Sequence, residues 1–235
     1  MKGERRKERG MRLVFASNNA HKLEEVRAMM PAGVEVLSLR EIGFEHEIDE
    51  TGTTLEENSA IKSEAVWEFI NGRNGDAALN GGNGGLMIDG VFADDTGLEI
   101  NALCGEPGVY TARWYKLEPT LTLPKEKGMT DEMLTFHCNR AKALRELEGK
   151  EDRGCQFRTV ITLIRKGETT QVEGIVRGRI AEQEFGEGGF GYDPVFIPEG
   201  YDKTFGELPA EIKNQISHRA RAVEELVKVL KKSFI

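Results

Sequence analysis

Two adjacent aspartates, Asp94 and Asp95, lie in the stretch FADDTGLEI (residues 92–100), between short apolar runs that predict two strands around a turn. Successive side chains of a strand point to opposite faces, so a persisting strand would separate the two carboxylates. One of them is a candidate metal ligand or general base, and the other is expected to cap the turn. Carboxylate oxygens suit Mg²⁺, which binds few protein ligands together with substrate phosphates.

A polar turn follows the apolar run at residues 11–16. The pattern predicts a strand, the turn, and a helix that ends near Pro31. Free backbone N–H groups at a helix start attract anions, and the ammonium of Lys22 is placed one turn further on, within reach of a phosphate. A plain polar N-cap is the alternative explanation. The turn itself carries three polar side chains: Ser17, Asn18 and Asn19.

Residues 53–72 predict a helix in which polar side chains interrupt an apolar face. Thr53 and Glu56 have the spacing of a capping box. Lys62 either snorkels to solvent from the edge of the face or points into a cleft, and Asp49 and Glu50 lie just upstream. Steps of three and four residues place these side chains on the face: Leu55, Asn58, Lys62, Ala65 and Phe69.

Cationic side chains gather near a predicted helix start in KNQISHRAR, where they are Lys213, His218 and Arg219. A solvated helix face is the ordinary explanation for such residues. Charge-assisted donors beside the Gly-aromatic loop GGFGYDP fit a pocket for a base and a phosphate better. We therefore predict a cleft with anion-binding turns, acidic metal ligands and a nucleobase pocket.

The remaining pattern predicts an α/β protein without an internal repeat. Residues 131–147 predict a helix, residues 157–180 a hairpin, and the Gly/Asn-rich stretch 71–85 a surface insertion rather than a ligand-binding loop. The C-terminal segment 211–232 predicts one helix. Its apolar side chains at helical spacing are Ile216, Ala220, Val223, Val227 and Leu230.

Composition narrows the class of protein. The net charge of −8 argues against a nucleic-acid partner, although it permits a nucleotide substrate. Three cysteines without a CxxC pair fit a reducing compartment, and no apolar run approaches the ~20 residues that cross a bilayer. We expect a cytoplasmic protein with no membrane partner. Residues 1–10 are predicted to be a basic, disordered leader and residues 11–235 a single domain.

Five ordered motifs resemble the inosine/xanthosine triphosphate pyrophosphatase family from about residue 11 to 230. They are ASNNAHK, DETGTTLEENSAIKSEA, FADDTGLEINALCGEPGVYTARW, GGFGYDPVF and KNQISHRARA. The resemblance implies an α/β fold with a long mixed central β-sheet flanked by helices, two lobes around a substrate cleft, Mg²⁺ dependence and a homodimer. Three segments depart from the common pattern: residues 1–10, 71–85 and 115–130.

The resemblance also implies roles for individual residues. Glu50 and Asp95 would bind Mg²⁺, and Asp95 would accept the proton of the attacking water. Asp94 is then expected to support the turn. The residues implied in substrate binding are Ser17, Asn18, Asn19, Lys22, Lys62, Thr96, Phe190, Gly191, Tyr192, Asp193, Lys213, His218 and Arg219.

The implied reaction is hydrolysis of ITP, dITP or XTP to the monophosphate and pyrophosphate by attack of water on the α-phosphorus. We expect the six-oxo group of the purine to accept hydrogen bonds from Arg219 or His218, which would reject adenine. Two alternatives stay open. One is a related pyrophosphatase that removes modified pyrimidine or methylated nucleotides, and the other is a non-catalytic nucleotide-binding module.

Overall fold

The computed structural model describes residues 10–72, 87–117, 123–188 and 190–232. Most of the leader, most of the Gly/Asn-rich stretch 71–85, and residues 118–122 of the segment 115–130 lie outside these ranges. The domain boundaries predicted from the sequence, and the division into two lobes, stay predictions.

One mixed sheet contains all seven strands of the described chain, which confirms the predicted α/β class. The strands are β1 (Met11–Phe15), β2 (Val34–Leu37), β3 (Gly90–Ile100), β4 (Pro107–Gly108), β5 (Gly154–Arg165), β6 (Glu168–Ile180) and β7 (Phe196–Pro198). The order is β2-β1-β3-β5-β6-β7, and β4 pairs with β3. The pairs β1–β2 and β1–β3 are parallel, and the others are antiparallel.

Within the described ranges, five helices accompany the sheet: α1 (Ala20–Met29), α2 (Leu55–Gly72), α3 (Asp131–Glu146), α4 (Ala210–Ile216) and α5 (His218–Lys232). Short 3-10 turns cover Arg40–Ile42, Asn101–Leu103 and Trp114–Leu117. The predicted first helix, the helix near 131–147 and the hairpin β5–β6 are confirmed. None of the helices in the described ranges is long and apolar enough to cross a bilayer.

Helices α2 and α5 cover opposite faces of the sheet, and this arrangement decides where the side chains of β3 go. Phe92 packs in a cluster with Leu226 of α5, whereas Val91 packs in a cluster with Val66 of α2. Because side chains alternate along a strand, even-numbered residues of β3 face α5 and odd-numbered residues face α2. Asp94 therefore faces α5, and Asp95 faces α2.

The predicted turn after the aspartate pair is wrong. Strand β3 continues without interruption from Gly90 to Ile100, so Asp94 and Asp95 lie near its middle. Gly97, which suggested the turn, serves a close approach instead. A Cβ at Gly97 would lie 2.9 Å from the carbonyl oxygen of Gly108 on β4, so a larger residue would push the two strands apart.

Two helix boundaries also differ from the prediction. The capping box of α2 lies one residue later, because Thr54 Oγ1 accepts from the Glu57 N–H (3.1 Å) and Glu57 Oε2 accepts from the Thr54 N–H (3.2 Å). The predicted C-terminal helix is broken at Ser217, whose extended backbone ends α4 and whose hydroxyl accepts from Ala220 N–H (3.2 Å) at the start of α5. In both places a hydroxyl oxygen accepts a hydrogen bond from a backbone N–H in the first turn of the helix, as an N-cap residue does.

The break at Ser217 sets the phase of α5. The buried apolar residues of α5 are Ala222, Val223, Leu226 and Leu230, so the predicted stripe is right at Val223 and Leu230, and the partly buried Val227 packs against the same cluster. Gly174 on β6 permits the close contact, because a Cβ there would lie 2.2 Å from the His218 carbonyl oxygen. The first turn of α5, which carries His218 and Arg219, is thereby held against the sheet.

Candidate active site

A cavity of about 340 Å³ lies where the β1–α1 turn, α2, β3 and the starts of α4 and α5 meet. Strand β1 brings its turn here because it runs parallel to β3, with Ala16 N–H donating to the Phe92 carbonyl (2.8 Å). Every residue predicted to bind substrate or metal lines this cavity: Ser17, Asn18, Asn19, Lys22, Glu50, Lys62, Asp95, Thr96, Phe190, Gly191, Tyr192, Asp193, Lys213, His218 and Arg219.

The β1–α1 turn is both a helix cap and a cavity wall. Asn19 Oδ1 accepts from the Lys22 N–H (3.1 Å) and caps α1, and Ser17 Oγ accepts from the Asn19 N–H (3.3 Å). The N-cap explanation is therefore correct for Asn19. Because the start of α1 opens into the cavity, it also offers the positive end of a helix to an anion.

Asp94 is buried between two cations on the α5 face of β3. Its side chain accepts from Lys22 Nζ (2.9 Å) and from Arg219 Nε (2.9 Å), and the residue is 1% exposed. Burial alone would raise the pKa of Asp94, but attraction to these two cations outweighs it and holds the pKa well below its usual range. The expectation that Asp94 caps a turn is wrong, since it joins α1 to α5.

Asp95 lies on the opposite face, with α2. Lys62 Nζ donates to Asp95 Oδ1 (3.1 Å) and to Glu50 Oε1 (3.1 Å), and Asn58 Nδ2 donates to Asp95 Oδ2 (3.3 Å). Lys62 is only 7% exposed, so it points into the cleft rather than snorkelling to solvent. Burial raises the pKa of Asp95 against the attraction of Lys62. Burial opposes the charged form of Lys62 too, but the adjoining carboxylates of Asp95 and Glu50 raise its pKa.

Glu50 and Asp95 form a donor set that fits a hard divalent cation. They share one ammonium, so their carboxylates lie close together at the cavity, and the Glu50 side chain is 34% exposed. In the described ranges, no group of three or more His, Cys, Asp or Glu side chains is arranged to hold a metal. Two carboxylates, with water and phosphate oxygens at the other positions, match the coordination that Mg²⁺ prefers.

A carboxylate that the sequence analysis missed, Glu25 on α1, connects the remaining cations. It accepts from Lys213 Nζ (2.9 Å) and pairs with Arg219, while Lys213 Nζ also donates to Asp193 Oδ2 (2.7 Å). Burial opposes the charged form of Glu25, but Arg219 and Lys213 lower its pKa. Its position three residues after Lys22, on the same side of α1, was the signal that could have revealed it.

The loop at residues 190–193 presents one aromatic ring to the cleft. Asp193 Oδ2 accepts from the Phe190 N–H (2.7 Å), and the Tyr192 hydroxyl donates to the Thr111 carbonyl (3.3 Å). The carboxylate of Asp193 and the hydroxyl of Tyr192 therefore hold the loop in place through hydrogen bonds within the protein. The Phe190 ring lies beneath Lys213 Nζ, 4.9 Å from its centroid, and lines the cavity.

His218 is not the cation that the sequence suggested. Burial, reinforced by the nearby charge of Arg219, lowers the pKa of His218 well below its usual range, so the imidazole is neutral. His218 Nδ1 lies 2.6 Å from Thr159 Oγ1, and that hydroxyl lies 2.8 Å from Thr96 Oγ1. Thr96 and Thr159 are cross-strand partners on β3 and β5, which places this polar chain at the cavity wall.

Three further lining residues were given no role by the sequence: Arg113, which lies in the motif FADDTGLEINALCGEPGVYTARW, and Phe136 and Asn139, which lie outside the five motifs. Arg113 follows β4, and its Nη1 lies 3.9 Å from Glu50 Oε2. Phe136 on α3 packs against Phe190 with ring centroids 6.1 Å apart. These side chains reach the cleft through tertiary packing, which local spacing does not encode.

The chain is similar to known proteins in both sequence and fold. The model of the Ham1 family matches residues 13–229. The dITP/XTP pyrophosphatase of Flavobacterium johnsoniae is 41% identical over 94% of this chain and 98% of its own length, and that of Bacillus subtilis is 41% identical over 92% and 96%. The structure of the Staphylococcus aureus Ham1 protein superposes with a TM-score of 0.70 at 34% identity, covering 94% of this chain and 99% of that one.

Proposed function

The chain belongs to the Ham1 family, and on that basis we propose that it hydrolyses non-standard purine nucleoside triphosphates to the monophosphate and pyrophosphate. The observation that carries this proposal is the shared cavity of the β1–α1 turn, the Glu50–Lys62–Asp95 cluster and the aromatic loop at 190–193. One end has cations and carboxylates suited to a metal-bound triphosphate. The other end has an aromatic ring and buried donors suited to a purine.

We assign the proton acceptor to Asp95. A water molecule held by its carboxylate attacks the α-phosphorus, the bond from that phosphorus to the bridging oxygen breaks, and pyrophosphate leaves. The proton of the water passes to the carboxylate of Asp95, which is buried and lines the cavity. Lys62 stays protonated beside it and offsets the negative charge of the phosphates.

Phosphoryl-transfer enzymes of this kind generally use a divalent metal, and we propose Mg²⁺ held by Glu50 and Asp95. When bound, the ion would neutralise charge on the phosphate oxygens. The helix start at Ser17–Asn19 and the ammonium of Lys22 then face the same phosphates, since all of them line the cavity.

Base selection is assigned to the buried donors at the other end. If Nδ1 of neutral His218 accepts from the Thr159 hydroxyl, its hydrogen lies on Nε2, where it donates to a six-oxo group. Adenine carries an amino donor at that position and would leave the buried donor unpaired, a mismatch of several kcal/mol that corresponds to about 10³-fold selectivity. Arg219, which also lines the cavity, is already paired with Asp94 and Glu25 and holds this wall in place.

The test is pyrophosphate release from a panel of dITP, XTP, GTP, ATP and modified pyrimidine triphosphates, with Mg²⁺ and with EDTA. We expect turnover of dITP and XTP that EDTA abolishes, and about 10³-fold lower efficiency with ATP. Equal rates with ATP and dITP would contradict the base pocket. Preference for a pyrimidine would favour the related pyrophosphatase, and binding without pyrophosphate release would favour the non-catalytic module.

The family resemblance also predicts a homodimer, and light scattering coupled to gel filtration tests that assembly. The cytoplasmic location and the lack of a nucleic-acid partner stay predictions from composition.

A further inference from the structure

The segment 109–115 contributes Val109, Thr111, Ala112 and Arg113 to the wall of the cleft. We infer that Asn139 is a positioning residue for the proposed reaction, because its buried amide fixes this segment so that Arg113 lies over the Glu50 end of the cleft. The inference rests on the proposed function and adds two residues to it. Arg113 lies within one of the five family motifs and Asn139 lies outside them, and the resemblance implies a role for neither.

The amide of Asn139 makes three hydrogen bonds to the backbone around Arg113. Its Oδ1 accepts from the Tyr115 N–H (2.9 Å), and its Nδ2 donates to the carbonyls of Thr111 (3.3 Å) and Ala112 (3.1 Å). The residue is 1% exposed on α3. Backbone groups on both sides of Arg113 are therefore held by a single rigid side chain.

Neighbouring buried side chains hold the same short segment. The Thr111 hydroxyl accepts from the Leu98 N–H of β3 (2.8 Å), and the Tyr192 hydroxyl donates to the Thr111 carbonyl (3.3 Å). Lys142 Nζ donates to the Trp114 carbonyl (3.4 Å) and lies 4.8 Å from the centre of the Trp114 ring. Such preorganisation is typical of backbone that must present a side chain at a fixed place.

The Arg113 side chain, in contrast, has room to engage a ligand. Its guanidinium lies over the Tyr110 ring at 5.4 Å, and its side chain is 37% exposed at the cavity. Its separation of 3.9 Å from Glu50 Oε2 is longer than a hydrogen bond. Lys213 and Arg219 differ, because each already contacts two carboxylates directly.

The position of Arg113 suits the leaving pyrophosphate. When the bond to the α-phosphorus breaks, negative charge grows on the oxygen that departs, and a guanidinium binds two phosphate oxygens in a fixed fork. The end of the cleft near Glu50 is where the phosphate chain would meet the proposed metal ligands. A displacement of about 1 Å in a positioned group can cost about 10²-fold in rate, so the backbone clamp has a functional consequence.

The experiment measures binding of inorganic pyrophosphate and, separately, of inosine monophosphate by calorimetry with MgCl₂ present. We expect Arg113→Gln and Asn139→Asp each to weaken pyrophosphate binding about tenfold, the usual scale for one charge-assisted contact. Binding of the monophosphate should stay unchanged. The double variant should bind pyrophosphate about tenfold more weakly than the wild type, no worse than either single variant, because Asn139 acts through Arg113. Arg113→Lys should restore part of the affinity.

Arg153→Met is the matched control for loss of stability. Arg153 also makes three hydrogen bonds to backbone carbonyls, those of Leu147, Ile180 and Ala181, but it lies outside the cavity lining. It should lower the melting temperature without changing pyrophosphate affinity. If Asn139→Asp does not fold, Asn139→Ser, which introduces no charge, takes its place in the same measurements.

Two results would overturn the inference. One is a double variant about 100-fold weaker for pyrophosphate, which would mean that the residues act independently. The other is equal weakening of both ligands by the Asn139 variant, which would show a merely structural role. Failure of the proposed function is distinct, since the wild-type protein would then release no pyrophosphate from dITP or XTP.

Discussion

Asp94 and Asp95 are neighbours in sequence, yet the two faces of β3 place their carboxylates in opposite electrostatic situations. Asp94 is enclosed by Lys22 and Arg219, and its pKa is depressed. Asp95 shares a single ammonium, that of Lys62, with Glu50, and burial raises its pKa. The negative charge of Asp94 is fully compensated by its two cations, so this carboxylate suits a structural role. The negative charge of Asp95 is under-compensated, because Lys62 is shared with Glu50, so this carboxylate suits a base or a metal ligand. The environment rather than the residue type therefore separates the two roles.

Removing the under-compensated carboxylate should have the largest effect on turnover. Asp95→Asn keeps the shape of the side chain but loses the proton acceptor, so we expect kcat to fall by about 10²–10⁴-fold. Steady-state pyrophosphate release from dITP measures the loss, with circular dichroism as the check on folding. Near-wild-type turnover in a folded variant would show that Asp95 is not the base.

Removing the compensated carboxylate should instead affect mainly stability. Asp94→Asn leaves Lys22 and Arg219 facing each other across a buried site, and breaking such a pair typically costs about 3–5 kcal/mol. We expect a clearly lower free energy of unfolding in urea and a smaller loss of kcat than with Asp95→Asn. Asp95→Asn should destabilise the protein less, because burial already opposes the charge of Asp95 and Glu50 still pairs with Lys62. The comparison fails if Asp95→Asn is the less stable variant.

The alternation of side chains that separates Asp94 from Asp95 could be predicted from the sequence, but the residues that each aspartate contacts could not. A period of two along β3 follows from strand geometry alone. The two helices that cover the faces of β3 come from sequence-distant segments, and the pairing of Asp94 with Arg219 spans 125 residues. A glycine after two polar residues predicts a turn, but Gly97 instead permits close contact with the backbone of Gly108 on the neighbouring strand, which the sequence does not reveal.

The candidate site was predictable wherever a local motif carried the side chain. The residues that line the expected cleft include Ser17, Asn18, Asn19, Lys22, Lys62 and the loop 190–193. Glu25 and Asn139 were missed because their significance lies in what they touch across the fold. The charge of His218 was mistaken for a similar reason, since burial against β5 and the charge of Arg219 determine its protonation.

The proposed metal site can also be tested through Glu50, the second carboxylate that Lys62 contacts. Glu50→Gln removes one of two candidate ligands, so the Mg²⁺ concentration for half-maximal activity should rise at least about tenfold. Asp49→Asn is the matched control, because Asp49 is adjacent and exposed but does not line the cavity. An unchanged Mg²⁺ requirement in Glu50→Gln would remove Glu50 from the metal site and leave Lys62 as its main partner.

The smallest expected effect is a shift in the pH dependence of activity. A base works when deprotonated, so kcat should fall as the pH drops through the pKa of Asp95, and burial places that pKa above the ordinary aspartate value of 3.8. Asp94 stays ionised through this range because its pKa is depressed, so its stabilising contribution is lost only at still lower pH. Turnover should therefore decline on acidification before the fold does. We expect the acidic limb of the kcat profile to lie above the pH at which near-ultraviolet circular dichroism is lost, and coincident transitions would mean that both carboxylates titrate with unfolding.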